Sequence, residues 1–422
     1  MAAHEYFMCA DVGGTNSRMQ LFKISRSDLS KPEVRGGGKP PGDIVHEHKY
    51  QNQDYPTGFD MVCYQFLKEC KEVDPAVETC GVGAACFAMA GPVHNNTVEF
   101  TNRKEWVVNG EELQTALKIP SVRLINDFVA NGYGILTLDP KTDVHTLVEA
   151  GATPNAPIAC VGAGTGLGMT YATCPPNPDG EYDAYASEGG HTEFSPRTTL
   201  EIELLEFLKK DFGENARVSA ERIVSGKGMM NVYRFLKTKW PNKVRQDIED
   251  EMKKLGDDAG FAIATHGHAK PGTPEYDQLC QTCMEIFWSA YGCEVGSAGL
   301  KWLPYGGLYI AGGIAQKNLD QMKFVRPSKK TPNLTWGFLP AYRDKGRVGG
   351  VLDRVPLHVI TAGDVGQRGA QLVALRGLRM VKGIKMSEGK SKKQSIMSKF
   401  LTSPALYAAG VVALAAFLRG KK

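Results

Sequence analysis

Three apolar, strand-like runs in this chain each end in a glycine turn, and that repetition limits the folds open to it. The first, Tyr6–Asp11, meets Gly13 and Gly14 and passes through Thr15, Asn16 and Ser17 into a second strand-like run, Arg18–Ile24. The next, Ile158–Val161, enters the turn Gly162-Ala-Gly-Thr-Gly-Leu-Gly168, and Met169–Thr173 reads as the returning strand. The last, Gly307–Ile310, stops at Ala311-Gly-Gly-Ile314. Glycine lets backbone N–H groups approach phosphate oxygens, and the side chains of Thr15 and Asn16 can donate more hydrogen bonds. A plain β-hairpin in which Asn and Gly take unusual dihedrals explains the first turn equally well. The second turn matches G-x-G-x-x-G. A dinucleotide fold, however, expects a helix directly after the glycines and an acidic residue about twenty positions later at a strand end. Here a strand follows, and Glu188 lies in a Gly-Gly-His loop. Two strand–turn units in separate parts of one chain therefore point to a duplicated nucleotide-binding α/β architecture.

The 422 residues suit two such domains better than one. Between the turns, Thr57–Lys71 carries apolar residues at helical spacing (Phe59, Val62, Phe66, Leu67, Cys70), and Cys80–Ala90 reads as a buried strand. Asn109 and Glu112 mark a helix start, and Ser121–Ile125 is a strand ending at Asn126 and Asp127. Helices are expected over Thr199–Lys210 and Glu275–Ala298, then a strand over Leu357–Thr361 and a helix ending near Arg379. Net charge is +4, but ten Lys/Arg and one acid fall between Arg379 and Lys422. Taking that +9 from the total leaves −5 for residues 1–378, so no recognition surface for nucleic acid is expected. Ten scattered cysteines, with Cys280 and Cys283 the sole CxxC, predict reduced thiols rather than a metal framework. No targeting segment is expected before the first strand.

Six ordered segments carry a closer likeness: DVGGTNSR (11–18), LINDF (124–128), AGTGLG (163–168), EGGH (188–191), SAERIVSGKG (219–228) and GLYIAGGI (307–314). Together they resemble the bacterial-type, group A glucokinases of the hexokinase–actin superfamily, from Tyr6 to Arg379. The resemblance implies a two-domain α/β, ribonuclease-H-like (actin-type ATPase) fold with an inter-domain cleft. It implies transfer of the γ-phosphoryl group of ATP to O6 of glucose, giving glucose 6-phosphate, with Mg²⁺. Asp127 would be the catalytic base and Asn126 a ligand of the ring hydroxyls. Glu188, His191 and Glu221 would surround O1, O2 and O3. The nucleotide would contact Gly13, Gly14, Thr15, Asn16, Gly164, Thr165, Gly166, Gly312 and Gly313, with Asp11 holding hydrated Mg²⁺ through water. Such a base must reach the attacking hydroxyl, and an unpaired buried polar group costs about 1–3 kcal/mol. Asp127 equally reads as the N-cap of a helix over Phe128–Leu136.

Related sugar kinases follow a similar Glu-Gly-x-His element with a cysteine-rich zinc loop. No such loop follows His191, so no zinc is expected. The loops Arg35–Gly42 and Pro175–Tyr182 exceed the family pattern without touching a motif, and the resemblance admits a homodimer. A kinase for mannose or fructose, or a non-catalytic sugar sensor on the same fold, is the alternative reading. The expected domains are 1–126 with 362–380, and 127–361. A basic linker spans 381–399, and 400–418 is nineteen residues without a charge. At 1.5 Å per residue such a helix would be about 28 Å long, enough to reach across a bilayer core. With its basic flanks it predicts a tail anchor in an organelle outer membrane, mitochondrial or plastid, with the catalytic body facing the cytosol; without insertion of the tail, a soluble cytoplasmic enzyme is the alternative.

Overall fold

The computed structural model describes residues 4–384, apart from 32, 34–35, 101–105, 176–180, 214–215 and 328–334. The expected anchor helix and the expected linker beyond residue 384 lie outside the described residues. Among the described ones, no helix is long and apolar enough to cross a membrane.

Two mixed sheets share one plan. The first comprises β1 (His4–Val12), β2 (Asn16–Ser25), β3 (Asp43–Gln51), β4 (Val82–Met89) and β5 (Val122–Asn126), in the order β3-β2-β1-β4-β5. β3, β2 and β1 form an antiparallel meander, and β4 and β5 add in parallel. The second contains β6 (Val144–Val148), β7 (Ile158–Ala163), β8 (Leu167–Thr173), β9 (Asp183–Ser187), β10 (Gly307–Ala311) and β11 (Leu357–Ile360), ordered β9-β8-β7-β10-β11-β6. Its first five members repeat the plan, and β6 adds an antiparallel edge.

The central strands read as unbroken apolar runs because both their faces are covered. Along β1, Tyr6, Met8, Ala10 and Val12 enter the core under helix α1 (Phe59–Val73), and Phe7 and Cys9 enter a core between the sheets. β7 divides likewise: Ile158 and Cys160 face that shared core, whereas Ala159, Val161 and Ala163 face the helices of the second lobe. Those helices include α3 (Thr199–Asp211), α4 (Gly226–Lys239) and the long α5 (Gln278–Trp302). Helix α5 starts later than the expected Glu275, since the Asp277 carboxylate accepts from the Cys280 N–H at 2.8 Å and caps it. Cys280 and Cys283 are buried free thiols on this helix.

Between the sheets lie two topologically matched helices, α2 (Asp127–Ile135) after β5 and α6 (Val365–Val381) after β11. Their backbones nearly touch. A Cβ on Gly134 would stand 2.0 Å from the Val365 carbonyl oxygen, and one on Gly369 would stand 1.8 Å from that of Ala130. No residue larger than glycine fits at either crossing. This pair joins the halves and sets where the ends of β5 and β11 meet.

Candidate active site

Asp11 and Asp127 line one cavity of about 320 Å³ with Asn131, Gly312, Gly313 and Asp364. Asp11 comes one residue before the end of β1, where the chain must turn, and Asp127 opens α2 directly after β5. Asp11 touches solvent in the cleft yet is hemmed in by protein. That burial raises its pKa, with Arg18, its register partner on β2, acting the other way. Asp127 is pushed up to about 6, first by burial and further by the Asp11 charge, while the Phe128 N–H opposes the shift. Asp127 forms no ion pair among the described residues.

Asn126, not Asp127, caps α2. Its Oδ1 accepts from the N–H groups of Phe128 (2.9 Å) and Val129 (3.3 Å), and its Nδ2 donates to the Gly91 carbonyl at 3.0 Å. Asp127 is instead the first helical residue, and its Oδ1 accepts from Phe128 N–H at 2.8 Å. The correction has a local reason: Asn126 retains extended φ/ψ (−66°, 151°), as a cap requires. The Phe128 ring packs over Gly162 and Gly168, which ties Asp127 to the second hairpin.

The turn between β1 and β2 opens on a cavity of about 650 Å³ lined by Gly13, Gly14, Thr15, Asn16, Arg18 and Lys49. Gly13 N–H donates to the Asn16 carbonyl at 2.9 Å. Asn52 braces the turn from below: its Nδ2 donates to Gly13 O (2.8 Å), its N–H donates to Thr15 O (2.9 Å), and its Oδ1 accepts from Ser17 Oγ (2.7 Å). Sequence reasoning missed Asn52, which follows an edge strand too polar to stand out. The Asn16 side-chain oxygen is buried without a hydrogen-bond partner among the described residues.

The turn between β7 and β8 is held more tightly. Ala163 N–H donates to Tyr291 Oη (3.1 Å), Gly226 N–H to Gly164 O (2.9 Å), and Leu167 N–H to a Glu221 carboxylate oxygen (2.9 Å). That same oxygen closes over Gly166. Gly164 and Thr165 line a third cavity, about 340 Å³, with Lys227, Phe261, Gly313 and Ile314. Lys227 and Phe261 also escaped sequence reasoning, although Lys227 lies within the quoted SAERIVSGKG segment. Gly312 has φ of +91°, and a Cβ there would meet the Ala163 carbonyl at 2.4 Å. Only glycine serves where the third turn passes beneath the second.

Glu188 and His191 stand on a short turn beside β8, more than half exposed and 3.8 Å apart. Glu221 sits on the neighbouring turn, Ala220–Arg222, bound to the second hairpin as above. None of the three lines the cavity of Asp127. From the loop expected at 35–42, Lys39 pairs at 2.9 Å with Asp364, which lines that cavity but belongs to none of the six motif segments. The Asp11 carboxylate opens on this space and is an oxygen donor of the kind that suits hydrated Mg²⁺.

Comparison with known proteins gives these features a family. The glucokinase family model matches residues 8–377. A glucokinase of the cyanobacterium Nostoc is 39% identical over 373 residues, covering 87% of this chain and 98% of that protein. Among solved structures, glucokinase from an Antarctic psychrotroph superposes with a TM-score of 0.64 at 22% identity, covering 88% and 99% of the two chains. Glucokinase from Balamuthia mandrillaris in complex with glucose gives 0.62 at 16% identity, covering 88% and 94%. The shared two-sheet fold and the extent of the sequence match lead to one conclusion: the chain belongs to the glucokinase family and is a hexose kinase.

Proposed function

We propose that this protein transfers the γ-phosphoryl group of ATP to O6 of glucose, with Asp127 as the general base. The observation that carries this reading is the Asp127 carboxyl: it shares a cavity with Asp11, has no cation partner among the described residues, and is pushed up to about 6 by burial. A base with a pKa near the working pH takes up a proton readily yet stays mostly ionised. As the sugar hydroxyl attacks, Asp127 accepts its proton. The amide N–H groups and side chains of Thr15 and Asn16 orient one part of the phosphate chain, and Gly164, Thr165 and Gly166 orient another. The nucleoside lies towards Gly312, Gly313 and Phe261. Asp11 would hold Mg²⁺ through water, and the ion would neutralise charge on the phosphates when bound. Glu188, His191 and Glu221 supply acceptors and donors for the ring hydroxyls and approach Asp127 when the lobes close, which also excludes water. Asn126, both ends of whose amide are engaged, contributes chiefly by fixing the start of α2.

The lobes we assign are 1–126 with 362–380, and 127–361. A coupled assay across glucose, mannose and fructose tests the substrate. A kcat/KM for glucose at least tenfold above the others is expected, and equal values would overturn the assignment. The charge-free run 400–418 carries the separate proposal of a membrane anchor. Fusing 380–422 to a fluorescent protein tests it, since release of the fusion from membranes by alkaline carbonate would contradict insertion.

A further inference from the structure

Away from the cleft, β3 and α1 bring together three metal-binding side chains that the kinase reading does not use. His46 and His48 are two residues apart on a strand, so both imidazoles face α1. There His46 Nε2 lies 3.0 Å and His48 Nδ1 2.8 Å from one oxygen of Glu69, and the three ligand atoms all fall within 4.8 Å of one another. Packing sets the rings in place: His46 stacks on Phe66 (centroids 5.4 Å, 25°) and His48 on Tyr50 (4.3 Å, 11°). The carboxylate is oriented too, since Tyr50 Oη donates to the oxygen facing the histidines (2.8 Å) and Gln65 Nε2 to the other (2.8 Å).

We propose that His46, His48 and Glu69 bind one divalent transition-metal ion of the zinc class. Two imidazole nitrogens and one carboxylate oxygen are a borderline-soft set that favours Zn²⁺ over Mg²⁺ or Ca²⁺. Ligands of a tetrahedral zinc ion at bonds of about 2.0–2.1 Å stand roughly 3.3 Å apart. The two His–Glu pairs are therefore already near that spacing, and rotation of the half-exposed His48 closes the rest. Tyr50 and Gln65 act as the outer hydrogen-bond partners that fix ligating groups. β3 is the sheet edge, so a further coordination position faces solvent. The ion would pin α1 to β3, whose opposite face presents Glu47 and Lys49 to the cavity at the first glycine turn. The proposal departs from the expectation of no zinc in this protein, which rests on the segment after His191 alone and does not weigh the pair His46 and His48.

The test uses the full chain, stripped with a chelator and titrated with Co²⁺ as a visible probe in excess Mg²⁺, with Zn²⁺ as competitor. One equivalent should bind with a d–d band and no thiolate charge-transfer band, and Zn²⁺ should displace it. His48→Ala and Glu69→Gln should each weaken binding at least tenfold, on the scale of losing a ligand or its support. Thermal melts of the stripped proteins verify that both variants fold, and added Zn²⁺ should raise the melting temperature of the parent alone. Unchanged affinity in both variants, no saturable band, or a band from thiolate ligation would each overturn the proposal.

Discussion

Asp127 and Asp364 occupy matched places in the two halves and line the same cavity, yet their surroundings drive them apart. Each follows the last parallel strand of the shared plan, β5 or β11, at the start of the helix that joins the halves. Burial raises both. Asp127 has nothing cationic to reverse the effect and is pushed up to about 6. At Asp364 burial is outweighed by the ion pairs with Lys39 (2.9 Å) and Arg368 (2.8 Å), so its pKa falls below the usual carboxylate value. Arg368 is further shared with Asp143 at 2.6 Å. The duplicated scaffold thus presents two acids: ion pairs hold Asp364 as a strut, and their absence at Asp127 suits the base we propose there.

The strongest way to break this comparison is to exchange the acids for amides. Asp127→Asn should retain glucose binding and lose about 10²–10⁴-fold in kcat, the range for a general base. Asp364→Asn should lose less than about tenfold and show its effect as a lower melting temperature. Equal losses of turnover would remove the distinction. Next in size, Gly369→Ala places a methyl group 1.8 Å from the Ala130 carbonyl and should destabilise the fold by about 1–3 kcal/mol or more in a denaturant titration. A neutral result would mean that the helix crossing does not set the distance between the two acids.

Legibility in the sequence followed the same division. The hairpins, their glycine turns and the strand-end acids Asp11 and Asp127 were readable because central strands are apolar on both faces and end abruptly. The edge strands β3 and β9 were not, because DIVHEHKYQ and DAYAS are mostly polar and borrow their shape from a neighbour. Likewise the cap on Asn126, the brace at Asn52 and the pairing of Lys39 with Asp364 arise from contacts that spacing does not encode. Sequence reading assigned Glu221 to sugar alone, while folding also gives it the Leu167 N–H.

The smallest expected effect sharpens the comparison further. Lys39 is two-thirds exposed, so Lys39→Ala should cost at most about 1 kcal/mol of stability and change kcat/KM less than threefold. A large loss of turnover would show that the loop around it takes part in catalysis.

The pH dependence of kcat/KM for glucose tests the central claim most directly. Asp127 must be ionised to accept a proton, so activity should fall with unit slope as pH drops through about 6 and level off above it. Asp11 raises that value by charge, so the residual activity of Asp11→Asn should show the same limb at lower pH, and Lys39→Ala should leave the limb in place. An acid limb that ignores Asp11→Asn but moves with Lys39→Ala would assign the essential ionisation to Asp364 and contradict the account.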